Sequence, residues 1–141
     1  MQIVLSDHDC EGQAQAIYNA LIWLGLTPLI PIDLRRFHEV GLHIGADDET
    51  IWRLCQEQGY LLLTGNRSTK AGSKSLERVI SRLVTPHSLP VLTIGDLQRV
   101  LHDREYCERC AVQLAEIVLD LEIHRGTTRL FIPGEAVPRK S

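Results

Sequence analysis

Apolar residues follow two rhythms along this chain, short unbroken runs and stripes recurring every third or fourth position. Ile3-Val4-Leu5 is a run that begins almost at the first residue, and residues 1–5 read as a short buried strand. Ala14, Ile17, Leu21 and Leu24 then recur at helical spacing, which predicts a helix over 12–24 stopped by Gly25. Pro28-Leu29-Ile30-Pro31-Ile32 is extended, and its two prolines suit the edge of a sheet, where a missing N–H is tolerated. Residues 33–46 hold Gly41 and Gly45 and read as a long loop. Asp47 or Asp48 can cap a second helix carrying Ile51, Leu54 and Cys55, with Gly59 as its end. Tyr60-Leu61-Leu62-Leu63 is apolar throughout, as a central parallel strand buried on both faces should be. A third helix is predicted over 73–84, and Pro90-Val91-Leu92-Thr93-Ile94 reads as a strand stopped by Gly95, with Asp96 as a helix cap. Residues 104–123 form one long amphipathic stretch, with Cys107, Cys110, Ala111, Leu114, Ile117, Val118 and Leu121 on its stripe. Arg129-Leu130-Phe131-Ile132 adds a last strand.

Strand and helix alternate from end to end, which argues for α/β architecture: a mostly parallel central sheet covered by helices in three layers. The 141 residues match one domain, expected over 1–133 with a tail over 134–141, and no internal repeat is visible. At that length a domain buries roughly two-thirds of its unfolded surface, so staples of disulfide or metal are not needed. A formal net charge of −3 gives no bulk attraction for nucleic acid or anionic lipid, so such binding would need a local patch. No apolar run is long enough to span a membrane, and no basic segment precedes an apolar one as in an export signal. A cytoplasmic protein is the expectation, with Cys10, Cys55, Cys107 and Cys110 as thiols.

In open parallel sheets, sites form beyond the carboxyl ends of strands. Three predicted strand ends are polar here: Asp7-His8-Asp9-Cys10-Glu11, Thr64-Gly65-Asn66-Arg67 and Gly95-Asp96. Three carboxylates at alternating positions after a buried strand are costly unless solvated, paired or neutralised by a cation. Asp9 can cap the first helix and Glu11 can favour its N-terminal dipole, which accounts for one or two of them. A hard divalent cation such as Mg²⁺ or Mn²⁺ would account for all three. A calcium loop of the helix–loop–helix type is excluded, because its twelfth position would be Tyr18 and a strand precedes it. Cys107-Glu108-Arg109-Cys110 has a zinc-like spacing, with His102 and His124 as the nearest companions. No second pair matches it, and both cysteines lie on an apolar stripe, so buried thiols are expected.

Asp48-Glu49-Thr50-Ile51 followed by Gly59-Tyr60-Leu61-Leu62-Leu63-Thr64-Gly65-Asn66-Arg67 resembles the middle of a small bacterial PIN-like domain. That family carries an acidic helix start, an apolar strand and then Thr-x-Asp-x-Asp, and with Asp7 the resemblance covers about the first half of the chain. It implies a metal-dependent nuclease using Mg or Mn, of a kind often found as the RNA-cleaving toxin of a toxin–antitoxin pair. The implied metal set is Asp7, Asp9, Asp48 and Asn66, with Thr64 holding an attacking water, holding a phosphate or capping the turn. Asn66 and Ser68 stand where the family has acids, which removes negative charge from the set and points to weakened or lost catalysis. RNA, an antitoxin-like protein and a second copy of the chain are the implied partners.

A nucleic-acid backbone calls for cations beside the acids. Arg67 lies next to Asn66, and Lys70, Lys74, Arg78 and Arg82 recur every fourth residue beyond it. They form either a basic stripe or a solvated helix face, interrupted by Glu77. Asp7-x-Asp9, Thr64, a downstream lysine and Gly95-Asp96 also resemble haloacid dehalogenase-like phosphatases, which would make Asp7 the nucleophile. That family follows its acids with Gly-Thr or Gly-Val, whereas Cys10-Glu11 stands here. A non-enzymatic interaction module built on the long stripe at 104–123 is the third class.

Overall fold

In the computed structural model, five strands form one sheet in the order β2-β1-β3-β4-β5, every neighbouring pair parallel. The structure describes residues 1–65 and 70–134, with the side chains of 70–74 outside that description. The strands are β1 (Gln2–Ser6), β2 (Ile32–Arg35), β3 (Leu61–Gly65), β4 (Val91–Ile94) and β5 (Arg129–Ile132). The helices are α1 (Glu11–Trp23), α2 (Asp48–Gln58), α3 (Lys70–Leu83), α4 (Leu97–His102) and α5 (Arg104–Leu119).

The pleat divides the apolar residues of the strands between two cores. Val4, Leu61, Leu63, Leu92, Ile94 and Ile132 point to one face and pack with Ala14, Ile17 and Leu21 of α1 and with Cys110, Ala111 and Leu114 of α5. Leu5, Leu62 and Val91 point to the other, against Ile51, Trp52 and Cys55 of α2 and Leu76, Val79 and Ile80 of α3. Helices therefore cover both faces of an all-parallel sheet, the three-layer α/β arrangement that the alternation of elements implied.

Several boundaries differ from the sequence reading, each for a local reason. The second strand begins at Ile32, after both prolines, because Pro28 and Pro31 cannot donate to a ladder; its edge position is as expected. The expected loop over 33–46 accordingly contains most of that strand, and then a 3₁₀ turn, Phe37–Val40, which buries Phe37 in the second core. Gly41 follows at φ 80°, a left-handed stop for that turn. Asp47, not Asp48, caps α2 by accepting the Thr50 N–H at 2.8 Å. The long stretch over 104–123 ends as a helix at Leu119 and continues as a 3₁₀ turn, Leu121–His124.

Candidate functional site

α1 leaves the carboxyl end of β1 toward one face of the sheet, and α3 leaves the adjacent end of β3 toward the other. A pair of neighbouring strands whose helices go to opposite faces is the topological switch point at which open α/β sheets place ligands. Asp7 and Thr64 stand at this point.

Asp7 is held from several directions. Its N–H donates to Leu63 O at 2.9 Å, carrying the β1–β3 ladder one residue past the strand. Its carbonyl accepts from Cys10 N–H at 3.1 Å and from the Ser6 hydroxyl at 3.0 Å, closing the turn into α1. Asp7 follows Leu5 by two residues, so its side chain lies on the α2–α3 face. There the Thr64 hydroxyl donates to Oδ2 at 2.9 Å. Asp7 is 8% exposed and Thr64 3%, so the carboxylate is nearly out of water and fixed in direction. Burial pushes the nearby Cys55 thiol of α2 up to about 12, and the Asp7 charge adds to that rise.

The other acids are less enclosed. Asp9 is exposed within a 3₁₀ turn, His8–Cys10, and this turn corrects the expectation that Asp9 caps the first helix. Cys10 occupies the capping position of α1 instead, without a side-chain capping bond; its thiol donates to Leu63 O at 3.5 Å. Glu11 is the first residue of α1 and its carboxylate lies 3.3 Å from His8 Nδ1. Asp48 opens α2 and is half-buried. Its charge acts on Arg129 at the start of β5, where burial lowers the guanidinium pKa and Glu77 and Asp48 oppose the shift. Among the described residues, no three of the His, Cys, Asp and Glu side chains gather into a group that could hold a metal ion. Asn66, Arg67 and Ser68, and the side chains of Lys70 and Lys74, lie outside the described residues.

On α3, Arg78 lines an open groove of about 450 Å³ with Glu77, Ser81 and Arg82. Arg82 reaches α2 as an ion partner of Glu49, which Arg53 also binds at 2.9 Å. That helix face carries both signs of charge. Asp96 is engaged in capping α4, its Oδ1 accepting the Arg99 N–H at 3.2 Å. Cys107 and Cys110 are buried free thiols, and burial pushes Cys110 up to about 12.

Two polar residues escaped the sequence reading. Thr93, in the middle of β4, is fully buried and stands opposite Thr64 in the strand register. Arg129 begins β5 with its side chain only 12% exposed, and its Nη1 donates to Thr93 Oγ1 at 3.1 Å. A charged first residue in a strand ordinarily faces water, so nothing in Arg-Leu-Phe-Ile itself signals an inward guanidinium.

The chain matches no family model, no curated protein and no solved structure in the comparisons made.

Proposed function

We propose that the chain is a divalent-metal-dependent phosphodiesterase of PIN-like type acting on RNA, centred on Asp7. The observation that supports this reading is a carboxylate nine-tenths buried at the switch point, held by the Thr64 hydroxyl, with Asp9 in the turn that follows and Glu11 opening α1. The donors are oxygens only, the set a hard cation takes. Asp7 would hold Mg²⁺ or Mn²⁺, with Asp9, Asp48 and Asn66 as the further members of the set. Such a cation lowers the pKa of a bound water and stabilises charge on the oxygens of a phosphodiester. Thr64 fixes the direction of the Asp7 carboxylate, and the backbone would approach at the switch point between β1 and β3. Arg78 and the neighbouring cations, Arg67, Lys70 and Lys74, would bind phosphates along the strand.

Manganese binding and the cleavage of single-stranded RNA, measured side by side with hydrolysis of a generic phosphomonoester, test this reading. Asp7→Asn abolishes RNA cleavage, and Asn66→Asp tightens Mn²⁺ binding and raises the rate, because it restores a charge to the set. Turnover of the phosphomonoester alone, lost in Asp7→Asn, would replace this reading with the phosphatase one. Neither Mn²⁺ binding nor cleavage by wild type or Asn66→Asp would leave a non-catalytic binding module.

A further inference from the structure

β2 and β5 are the outer strands of the sheet, and each turns a row of backbone groups away from its only neighbour. In an extended strand the N–H and C=O of one residue point the same way, and successive residues alternate. Thr128 O and Ile132 O accept from Val91 N–H at 3.1 Å and from Gly95 N–H at 3.0 Å, so residues 128, 130 and 132 face β4. Arg129 and Phe131 therefore face outward. Among the described residues, nothing bonds to the N–H or C=O of either. Gly134 N–H donates to Gln113 Oε1 on α5, so the described chain past the strand turns onto the helix layer rather than along the edge.

A second β5 laid antiparallel against the first satisfies every outward group at once. With a twofold axis at Leu130, Arg129 of each copy stands opposite Phe131 of the other, and such a pair exchanges N–H···O=C bonds in both directions. Moving the axis by one residue sets Phe131 against Thr127, whose N–H already binds His124 O at 3.1 Å, or sets Arg129 against Pro133, which has no N–H. The side chains fit the same register. Leu130 meets Leu130 across the axis, and Phe131, 48% exposed, lies beside the Arg129 stem of the other copy, an aromatic against a cation. The opposite edge is built against self-pairing. Gln2 N–H binds Pro31 O at 3.1 Å, so Ile32 and Leu34 face outward, and the equivalent axis falls on Asp33. It would set Asp33 against Asp33, and like charges directly opposite are destabilising.

We infer that β5, Arg129–Ile132, is the contact strand of a twofold dimer of this chain, in which two sheets join edge to edge into one twice as wide. The contact is isologous, the same patch on both copies, and it closes after two, because the other edge of each sheet carries Asp33. The axis stands perpendicular to the sheet, so the α2–α3 layers of both copies lie on one side of it. Their switch points open at opposite ends of the strands. Nothing in this contact uses Asp7, so it stands or falls apart from the proposed function.

Sedimentation of the full chain across micromolar concentrations should show a dimer. Phe131→Lys sets a cation against Arg129 of the other copy and should raise the dissociation constant at least tenfold. Oxidative cross-linking reads the register. Leu130→Cys should link the copies readily, because a non-hydrogen-bonded pair brings Cα atoms to about 4.5 Å, within disulfide range, while the native thiols are buried. Phe131→Cys is at the more exposed position but lies diagonal to its counterpart, at about 7–8 Å, and should link at least tenfold more slowly. Faster linking at position 131 than at 130 would mean chance collision and overturn the inference. A dimer untouched by Phe131→Lys would put the interface elsewhere and overturn it too. A monomer throughout the range would do the same in wild type, with no variant needed, and would leave the edge to an extended segment of another protein.

Discussion

At Cys55, burial comes first in raising the thiol to about 12 and the Asp7 charge second. Cys110 is raised to about 12 chiefly by burial, and Cys107 is raised for the same reason. An unfolded chain would ionise these thiols near their ordinary value of 9.0, while the folded chain keeps them protonated. The native state therefore binds more protons between pH 9 and 12, and stability present below pH 9 is lost as pH rises through that window. Urea midpoints should fall from pH 9 to 11, and the fall should be shallower in a Cys55→Ala, Cys110→Ala double variant. An equal slope in both proteins would assign the alkaline loss to other groups. Thr64→Val removes a donor from a nearly buried carboxylate and should cost about 1–3 kcal/mol in urea unfolding at neutral pH. A change within error would mean that the Asp7 carboxylate is satisfied without that hydroxyl.

Elements were most legible where local chemistry is unambiguous. The apolar run ahead of Thr64 is β3, buried at every position, and the stripe Ala14, Ile17, Leu21 is the inner side of α1. Asp47 and Asp96 cap their helices as short acids before an apolar stripe should. Asp47→Ala should cost about 1 kcal/mol, read as a lower urea midpoint with an unchanged slope. The break at β2 was misplaced because Leu29 and Ile30 look like strand, while Pro31 delays the ladder until Ile32. The inward turn of Arg129 was invisible because it depends on Thr93, which is 36 positions earlier in the chain. Gly65 shows a constraint that sequence reading can only name as a turn. A Cβ there would lie 2.6 Å from Leu97 Cδ1 and within 3 Å of its other branch atoms, where β3 passes the start of α4. Gly65→Ala must displace the Leu97 side chain at a typical overpacking cost of about 1–3 kcal/mol, and Leu97→Ala in the same chain should recover part of that loss. A neutral Gly65→Ala would show that Leu97 swings clear freely.

At the scale of the fold, the two cores lie on opposite faces of the sheet, and ion pairs such as Arg82 with Glu49 join α3 to α2 over the outer layer. No helix among the described residues is long and apolar enough to cross a membrane. The strand order has a consequence for a chain emerging from the ribosome. β1 precedes the other four strands of the sheet in the chain, yet it lies inside the sheet, and its partner on the β3 side comes almost sixty residues later. Asp7 meets Thr64 across a separation of 57 positions, so the bond that fixes the carboxylate closes only after that loop has been drawn in. A nascent chain cut short before β3 has all its early acids and no site. Any property that rests on the Asp7–Thr64 bond is thereby withheld until synthesis has passed β3, and a chain stopped short of it is silent by construction.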